Sequence, residues 1–234
     1  MEKKFKKEYF KSYKGGKRES KNFLLNLVKK LPKNAKVLDV GCGDGVYFKE
    51  IHKIRPDIKL YGVDIGEVEA FLPTYIKFTK CGGDNLPFED ETFDFVSCFH
   101  VLEHVLNPHD FIMEFNRVLK KDGWVYIEMP YYKTAYIPDG NMNFWSDPTH
   151  IRPYNYTSID RLLRENGFEV LRIKIWRNWK SILIGPYLVL KRIILNDRDA
   201  LSTFFAHLHG HAIGGLGKKI KNMNRILNSR LKTE

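Results

Sequence analysis

Short apolar runs alternate with amphipathic stretches over most of the chain. Phe23, Leu24, Leu27, Val28 and Leu31 recur at helical spacing within residues 20–31, and Pro32 and Asn34 end that helix. Compact apolar runs then predict strands at Lys36–Val40, Lys59–Asp64, 75–78, 94–99, 124–129 and Phe168–Trp176. Between them, amphipathic patterns predict helices at Val46–Ile54, 109–119 and 157–166. The second of these closes on Lys121–Asp122–Gly123 and the third on Gly167. Strands alternating with helices need crossover connections. The expected fold is therefore α/β, a seven-stranded, mostly parallel sheet with helices on both faces. Ligands in such sheets sit at the carboxyl ends of the strands, where the strand order reverses.

The C-terminal part is less regular. Residues 181–195 are strongly apolar but broken by Gly185–Pro186 and by Lys191–Arg192. They are too short to span a bilayer, which takes about 20 apolar residues. A core helix, a last strand and an interfacial segment all remain open for them. Residues 216–231 read as a basic helix. The pattern divides the chain into a basic arm with a leading helix (1–34), a central domain (35–179) and an apolar, basic C-terminal helical extension (180–234).

Charge sharpens that division. The chain has 234 residues and a formal net charge of +11. Residues 1–36 hold 13 basic and 3 acidic side chains, residues 191–234 hold 9 and 3, and residues 37–190 hold 17 and 22. The centre is thus mildly acidic and both ends are basic. Basic ends suit anionic lipid headgroups or nucleic acid, or simply a lysine-rich solvated surface with Tyr9, Phe10 and Tyr13 as anchors of the first arm. Cys42, Cys81 and Cys98 are an odd number without metal-ligand spacing, which suits buried thiols in a reducing compartment. The Lys-rich start lacks a signal peptide's apolar core, so a cytoplasmic setting is expected, with peripheral attachment at the inner membrane face.

The most telling segment is VLDVGCGDG at residues 37–45. Asp39 sits where the first strand runs out, Gly41, Gly43 and Gly45 follow at alternate positions, and a helix begins after them. Glycines let the backbone turn sharply and lie against a ligand, and the helix start presents free N–H groups. A dinucleotide fingerprint would place its third glycine one residue later. This spacing resembles instead motif I of the Rossmann-like S-adenosylmethionine-dependent methyltransferases. It is most similar to their small branch, which includes ubiquinone and menaquinone methyltransferases and many glycan-modifying enzymes. The resemblance covers roughly residues 35–177 and implies S-adenosyl-L-methionine as cofactor. It implies that Asp64, 25 residues after Asp39 at a strand end, takes the ribose hydroxyls, with Ile65 beside it. Asp84 and Asn85 would meet the adenine amino group, with Leu86 and Phe88 as apolar walls. Cys42 and Phe99 complete the expected cofactor contacts, and Asp39 orients the glycine loop or bonds the methionine amino group.

On the acceptor side, His100, Glu103 and His104 fall at i, i+3 and i+4, so one helical face would carry all three. They resemble the acidic and histidine cluster with which quinone-type O-methyltransferases hold a divalent cation. Packing by the cofactor loop is the alternative, with His100 the residue facing the methyl group. No metal is expected on balance. Past the fifth strand about 27 residues intervene before the next helix, rich in aromatics and proline, and loops of that length are usually functional. Asp147–Pro–Thr–His150–Ile–Arg152–Pro–Tyr154 within it resembles a stretch in methyltransferases tied to glycan and lipid modification. His150 would take a proton with Asp147 orienting it, and Arg152 would hold a phosphate or carboxylate. Tyr131, Tyr132, Phe144, Trp145 and Tyr154 would line the acceptor. Loop anchoring is the competing role for His150 and Arg152. The expected activity is O-methylation of a glycan or lipid-linked acceptor. Quinone-type or small-aromatic methylation is the alternative, and an RNA methyltransferase is the alternative from another class. Nucleic acid is disfavoured as a partner: Met129–Pro130–Tyr131–Tyr132 only partly matches the tetrad of exocyclic-amine methylases, and no cysteine follows a proline. A homodimer is compatible with the sequence.

Overall fold

The computed structural model describes residues 20–223. The basic arm before Ser20, with Tyr9, Phe10 and Tyr13, lies outside the described residues, as do residues 224–234. Seven strands form one sheet: β1 (Lys36–Val40), β2 (Lys59–Asp64), β3 (Ile76–Lys80), β4 (Phe93–Phe99), β5 (Leu119–Pro130), β6 (Phe168–Trp176) and β7 (Ala212–Lys219). Their order is β3-β2-β1-β4-β5-β7-β6. All pairings through β5 are parallel, and β7 runs antiparallel between β5 and β6. The order reverses between β1 and β4, which places the ligand crevice over their carboxyl ends.

Side chains alternate across the strands into two cores. On one face Leu38, Val40, Phe93, Val96 and Cys98 meet α3 (Pro108–Val118) and α4 (Tyr156–Glu165) through Ile112, Phe115, Ile159 and Leu163. On the other, Val37, Leu60 and Phe95 meet α1 (Lys21–Val28) and α2 (Val46–Ile54) through Leu24, Val28, Phe48 and Ile51. Burial on both faces explains why these strands read as unbroken apolar runs.

One expectation fails at the C-terminal end. Residues 216–219, expected to start a basic helix, belong instead to β7, which completes the sheet begun by residues 36–176. Lys218 is bound to Asp122 at 2.8 Å, and the buried Lys219 ammonium donates to the Leu119 carbonyl at 2.7 Å, so neither is available to headgroups. The strand is glycine-rich because its neighbours press on it: a Cβ on Gly214 would collide with the Tyr126 hydroxyl, and one on Gly215 would meet Ile159 at 2.5 Å. Residues 179–195 form two helices, α5 (Trp179–Leu183) and α6 (Gly185–Leu195), separated at the Gly185–Pro186 interruption and followed by α7 (Arg198–His209). The break falls where Gly185 packs on the Phe204 ring of α7, too close for a Cβ. Among the described residues, no helix is long and apolar enough to cross a membrane.

Candidate active site

The glycine turn is built from left-handed backbone. Gly41, Gly43 and Gly45 have φ of +76°, +51° and +70°, a region that costs other residues about 1–2 kcal/mol. The turn is pinned to β2, since the N–H groups of Gly41 and Cys42 both donate to the Val63 carbonyl, at 2.8 and 3.1 Å. A Cβ on Gly41 would collide with Val101, and one on Gly45 would stand 2.8 Å from Leu72. A Cβ on Gly43 would meet nothing within 4 Å. The middle glycine therefore faces open space at the crevice, as a cradle for a ligand backbone requires.

Asp64 closes the cradle at the end of β2. Its Oδ2 accepts from the Gly43 N–H at 3.0 Å and its Oδ1 from the Gly66 N–H at 2.8 Å. A carboxylate has about four acceptor positions, so each oxygen retains one for a ligand hydroxyl. The exposed Ile65 side chain stands next to it. Buried Asp39 accepts from the Ser97 hydroxyl at 2.7 Å, which ties β1 to β4 beneath the turn. Asp84 and Asn85 are exposed.

Four side chains expected at the cofactor pack against the protein itself. Leu86 is buried in the core, its N–H is held by Glu114 at 2.8 Å, and Phe88 packs edge-on against Phe93. The chain turns both side chains inward, and the half-buried Phe88 covers the start of β4. Phe99 stacks on Tyr47 with ring centroids 3.9 Å apart, on the α1–α2 face. Cys42 tucks its sulfur against Gly62, and its thiol pKa is pushed far up by burial and then by the Asp39 and Asp64 charges. What Cys42 presents to a ligand is backbone.

The acceptor side differs more from expectation. His100 sits in left-handed backbone at φ +54°, so the helix anticipated through His100, Glu103 and His104 is only a 3-10 turn at Leu102–His104. The two histidines diverge. His100 lies between two buried carboxylates, with Nδ1 3.3 Å from Glu103 Oε1 and Nε2 3.8 Å from Glu128 Oε1. Glu128 also accepts from the Tyr126 hydroxyl at 2.6 Å and from Ser20 at 3.0 Å, and the Trp176 indole N–H donates to Tyr126 at 3.0 Å. Sequence reasoning missed this network. Its signal was a lone charge, Glu128, inside the otherwise apolar strand WVYIEMP.

His104 turns toward the long loop between β5 and α4. Thr149 Oγ1 lies 2.6 Å from Asp147 Oδ1 and 2.8 Å from His104 Nδ1. The carboxylate only accepts, so Thr149 gives its proton to Asp147 and the His104 Nδ1–H donates to Thr149. His150 Nδ1 donates to the Phe144 carbonyl at 2.6 Å. The neutral tautomer of each ring that fits these bonds has its lone pair on Nε2. The rings are close, with centroids 4.7 Å apart. One ligand atom each from Glu103, His104 and His150 lies within 4.8 Å of the others, so this is the set suited to a cation, with His150 in place of His100.

The expected Asp147–His150 couple is corrected accordingly. Asp147 Oδ2 stands 3.9 Å from His150 Nε2, beyond hydrogen-bond range, because Thr149 captures the carboxylate; the Phe144 carbonyl orients His150. Partial burial raises the Asp147 pKa, but hydrogen bonds from Thr149 and the charges of His150 and His104 outweigh it, and the net shift is downward. Tyr154 and Tyr131 are buried and pair across a parallel bridge, the Tyr154 hydroxyl donating to the Leu102 carbonyl at 3.1 Å. Burial pushes the Tyr154 phenol up to about 12. These two rings fasten the loop to the domain. Trp145, Tyr136 and Arg152 are exposed and Tyr132 is half-buried; Arg152 donates to the Leu106 carbonyl at 3.5 Å.

A switch point carrying a glycine cradle, an acidic strand end and a histidine loop across from it defines a transferase of the class I, S-adenosylmethionine-dependent methyltransferase type. A family model described as a methyltransferase domain matches residues 13–173, and the chain belongs to that family. The ubiquinone biosynthesis O-methyltransferase of Hydrogenovibrio crunogenus is 31% identical over 194 residues, 74% of this chain and 75% of that protein. An uncharacterised protein of Methanocaldococcus jannaschii is 38% identical over 91 residues, 38% of this chain and 42% of that one. Among solved structures, YcgJ from Bacillus subtilis superposes with a TM-score of 0.60 at 17% identity, covering 86% of this chain and 98% of that chain. Geranyl diphosphate C-methyltransferase from Streptomyces coelicolor, in complex with Mg2+, geranyl diphosphate and S-adenosyl-L-homocysteine, gives 0.64 at 14% identity, covering 86% and 78%. These superpositions bear out the α/β, Rossmann-like fold. The chain is a methyltransferase enzyme.

Proposed function

We propose that the chain transfers a methyl group from S-adenosylmethionine to a hydroxyl of a glycan or lipid-linked acceptor. The residues fit the cofactor: Gly43 leaves the space a ligand backbone needs, Asp64 keeps acceptor positions for ribose hydroxyls, and exposed Ile65 and Asp84 flank the adenine side. Bound there, the cofactor supplies an electrophilic methyl group that needs no further activation. The protein's remaining tasks are to align the acceptor, exclude water and take up one proton.

One observation carries the oxygen-directed reading. His150 is fixed by the Phe144 carbonyl with its Nε2 lone pair left for an acceptor proton, and the ring is held between Phe144 and His104. A neutral imidazole is a suitable base for a hydroxyl near pH 7. Arg152, exposed on the same loop, is placed for a phosphate or carboxylate of the acceptor, and Trp145 offers a stacking face. His150→Ala should lower turnover about 10²–10⁴-fold and leave cofactor affinity nearly unchanged. Activity that survives, or cofactor binding that collapses as well, would return His150 to a purely structural role.

A second reading is favoured by the Glu103, His104 and His150 cluster: a quinone-type O-methyltransferase in which a divalent cation polarises the acceptor oxygen. Relatives named as ubiquinone O-methyltransferases support it. Two imidazoles with one carboxylate suit a borderline ion such as Zn²⁺ better than Mg²⁺. Loss of activity on chelation, restored by a divalent ion, would select this reading over the metal-free one.

A further inference from the structure

Helices α5 and α6 expose most of their apolar side chains. No residue of α5 is buried, and in α6 only Gly185 and Leu188 are. Trp179, Leu183, Tyr187, Leu190, Ile193 and Ile194 are 67%, 80%, 61%, 52%, 73% and 67% exposed. Six large apolar groups so close together exceed the scattered exposure normal for a protein surface. The same two helices carry three basic side chains, Lys180, Lys191 and Arg192, and no acidic one, with Arg177 just before them. The acids at their border are engaged, Asp197 by Lys191 at 2.6 Å and Asp139 by Arg198 at 3.6 Å.

We propose that the α5–α6 face docks on an anionic lipid bilayer, lying in the headgroup layer with the exposed Arg177 and Lys180 toward the phosphates. An 11-residue helix cannot span a bilayer but suits the interface, and Trp179 and Tyr187 are the amphipathic rings that settle there. A second copy of this chain is the poorer occupant, because pairing the face with itself brings two wholly basic stretches together. Helix α7 joins the covered side of α5 and α6 to the acceptor loop. Helix α7 packs on α5, on α6 and on the 3-10 turn Tyr132–Tyr136, the Asn141 N–H donates to Asp199 at 2.8 Å, and a Cβ on Gly140 would collide with Ser202. Docking therefore anchors the body that carries the His150 loop at the membrane, where an acceptor on a lipid chain is concentrated. That consequence rests on the methyltransferase reading; the docking itself does not.

Co-sedimentation of the full chain with vesicles tests it without catalysis. Vesicles of phosphatidylcholine with about one third phosphatidylglycerol should bind the chain, binding should fall with salt, and phosphatidylcholine alone should bind it weakly. The double variant Leu183→Glu, Ile194→Glu should bind about tenfold more weakly or worse, while its melting temperature and its S-adenosylhomocysteine affinity stay as in the parent. The variant leaves the basic arm before Ser20 intact, so equal binding of parent and variant would overturn the proposal. So would a parent that ignores anionic vesicles at low salt, or a parent that light scattering finds dimeric and the variant monomeric. Failure of S-adenosylhomocysteine binding in the parent would instead count against the methyltransferase site.

Discussion

Asp64 and Asp147 are both strand-end or loop carboxylates, yet they do different work. Asp64 spends one acceptor position of each oxygen on backbone N–H groups, and that leaves the outward positions for a ligand. Asp64→Ala should weaken S-adenosylhomocysteine binding by about 1.5–3 kcal/mol in calorimetry, the cost of losing a charged acceptor; unchanged affinity would remove Asp64 from the ribose. Asp147 acts inside the protein. Its pKa is held below the ordinary 3.8, so its folded-state interactions contribute stability above the unfolded-state value, and the contribution is lost as pH falls through the lower folded value. Replacing it by Asn should flatten the dependence of stability on pH below about pH 4, relative to the parent, in denaturant melts taken across that range. A parent and variant with parallel profiles would contradict the assigned shift.

At the scale of elements, the glycine turn separates fold from function. Gly41 and Gly43 share left-handed backbone, but only Gly41 has a side chain, Val101, pressed against it. Gly41→Ala should therefore lower the melting temperature substantially. Gly43→Ala should cost only about 1–2 kcal/mol of backbone strain, yet block the cofactor. Loss of affinity in proportion to loss of stability in both variants would mean that the turn is scaffold only. The turn and its flanking β1, α2 and β2 were legible because all their determinants are local: buried parallel strands, alternate glycines, an amphipathic helix. Strand β7 was not, since Gly214, Gly215 and Gly217 erase the alternation that marks a strand, and its partners lie far off in sequence. The face expected to join His100, Glu103 and His104 failed for a different reason. One positive φ at His100 broke the helical register, and spacing alone does not reveal that. Likewise Asp147 and His150 stand at the spacing of a couple, but the intervening Thr149 hydroxyl takes the carboxylate.

Over the whole molecule, residues 180–223 are part of the catalytic body as well as its edge. They supply β7 to the sheet and seat α7 against the acceptor loop. A chain ended at Trp179 would leave β6 without its partner strand and Tyr126 exposed, so it should fail to give a cooperative thermal transition, whereas the full chain should give one. A cooperative, soluble truncation would contradict the place given to β7. The two functional surfaces then share one scaffold: the cofactor cradle at the β1–β4 switch point, and the loop bearing His150 beyond β5, braced from the C-terminal side. The account holds that these two meet at the methyl group. A crystal structure with S-adenosylhomocysteine bound tests this most directly. It should show the ribose hydroxyls on Asp64, the amino-acid end over Gly43, and His150 Nε2 facing the sulfur's open side. A ribose away from Asp64, or a sulfur turned from the His150 loop, would contradict it.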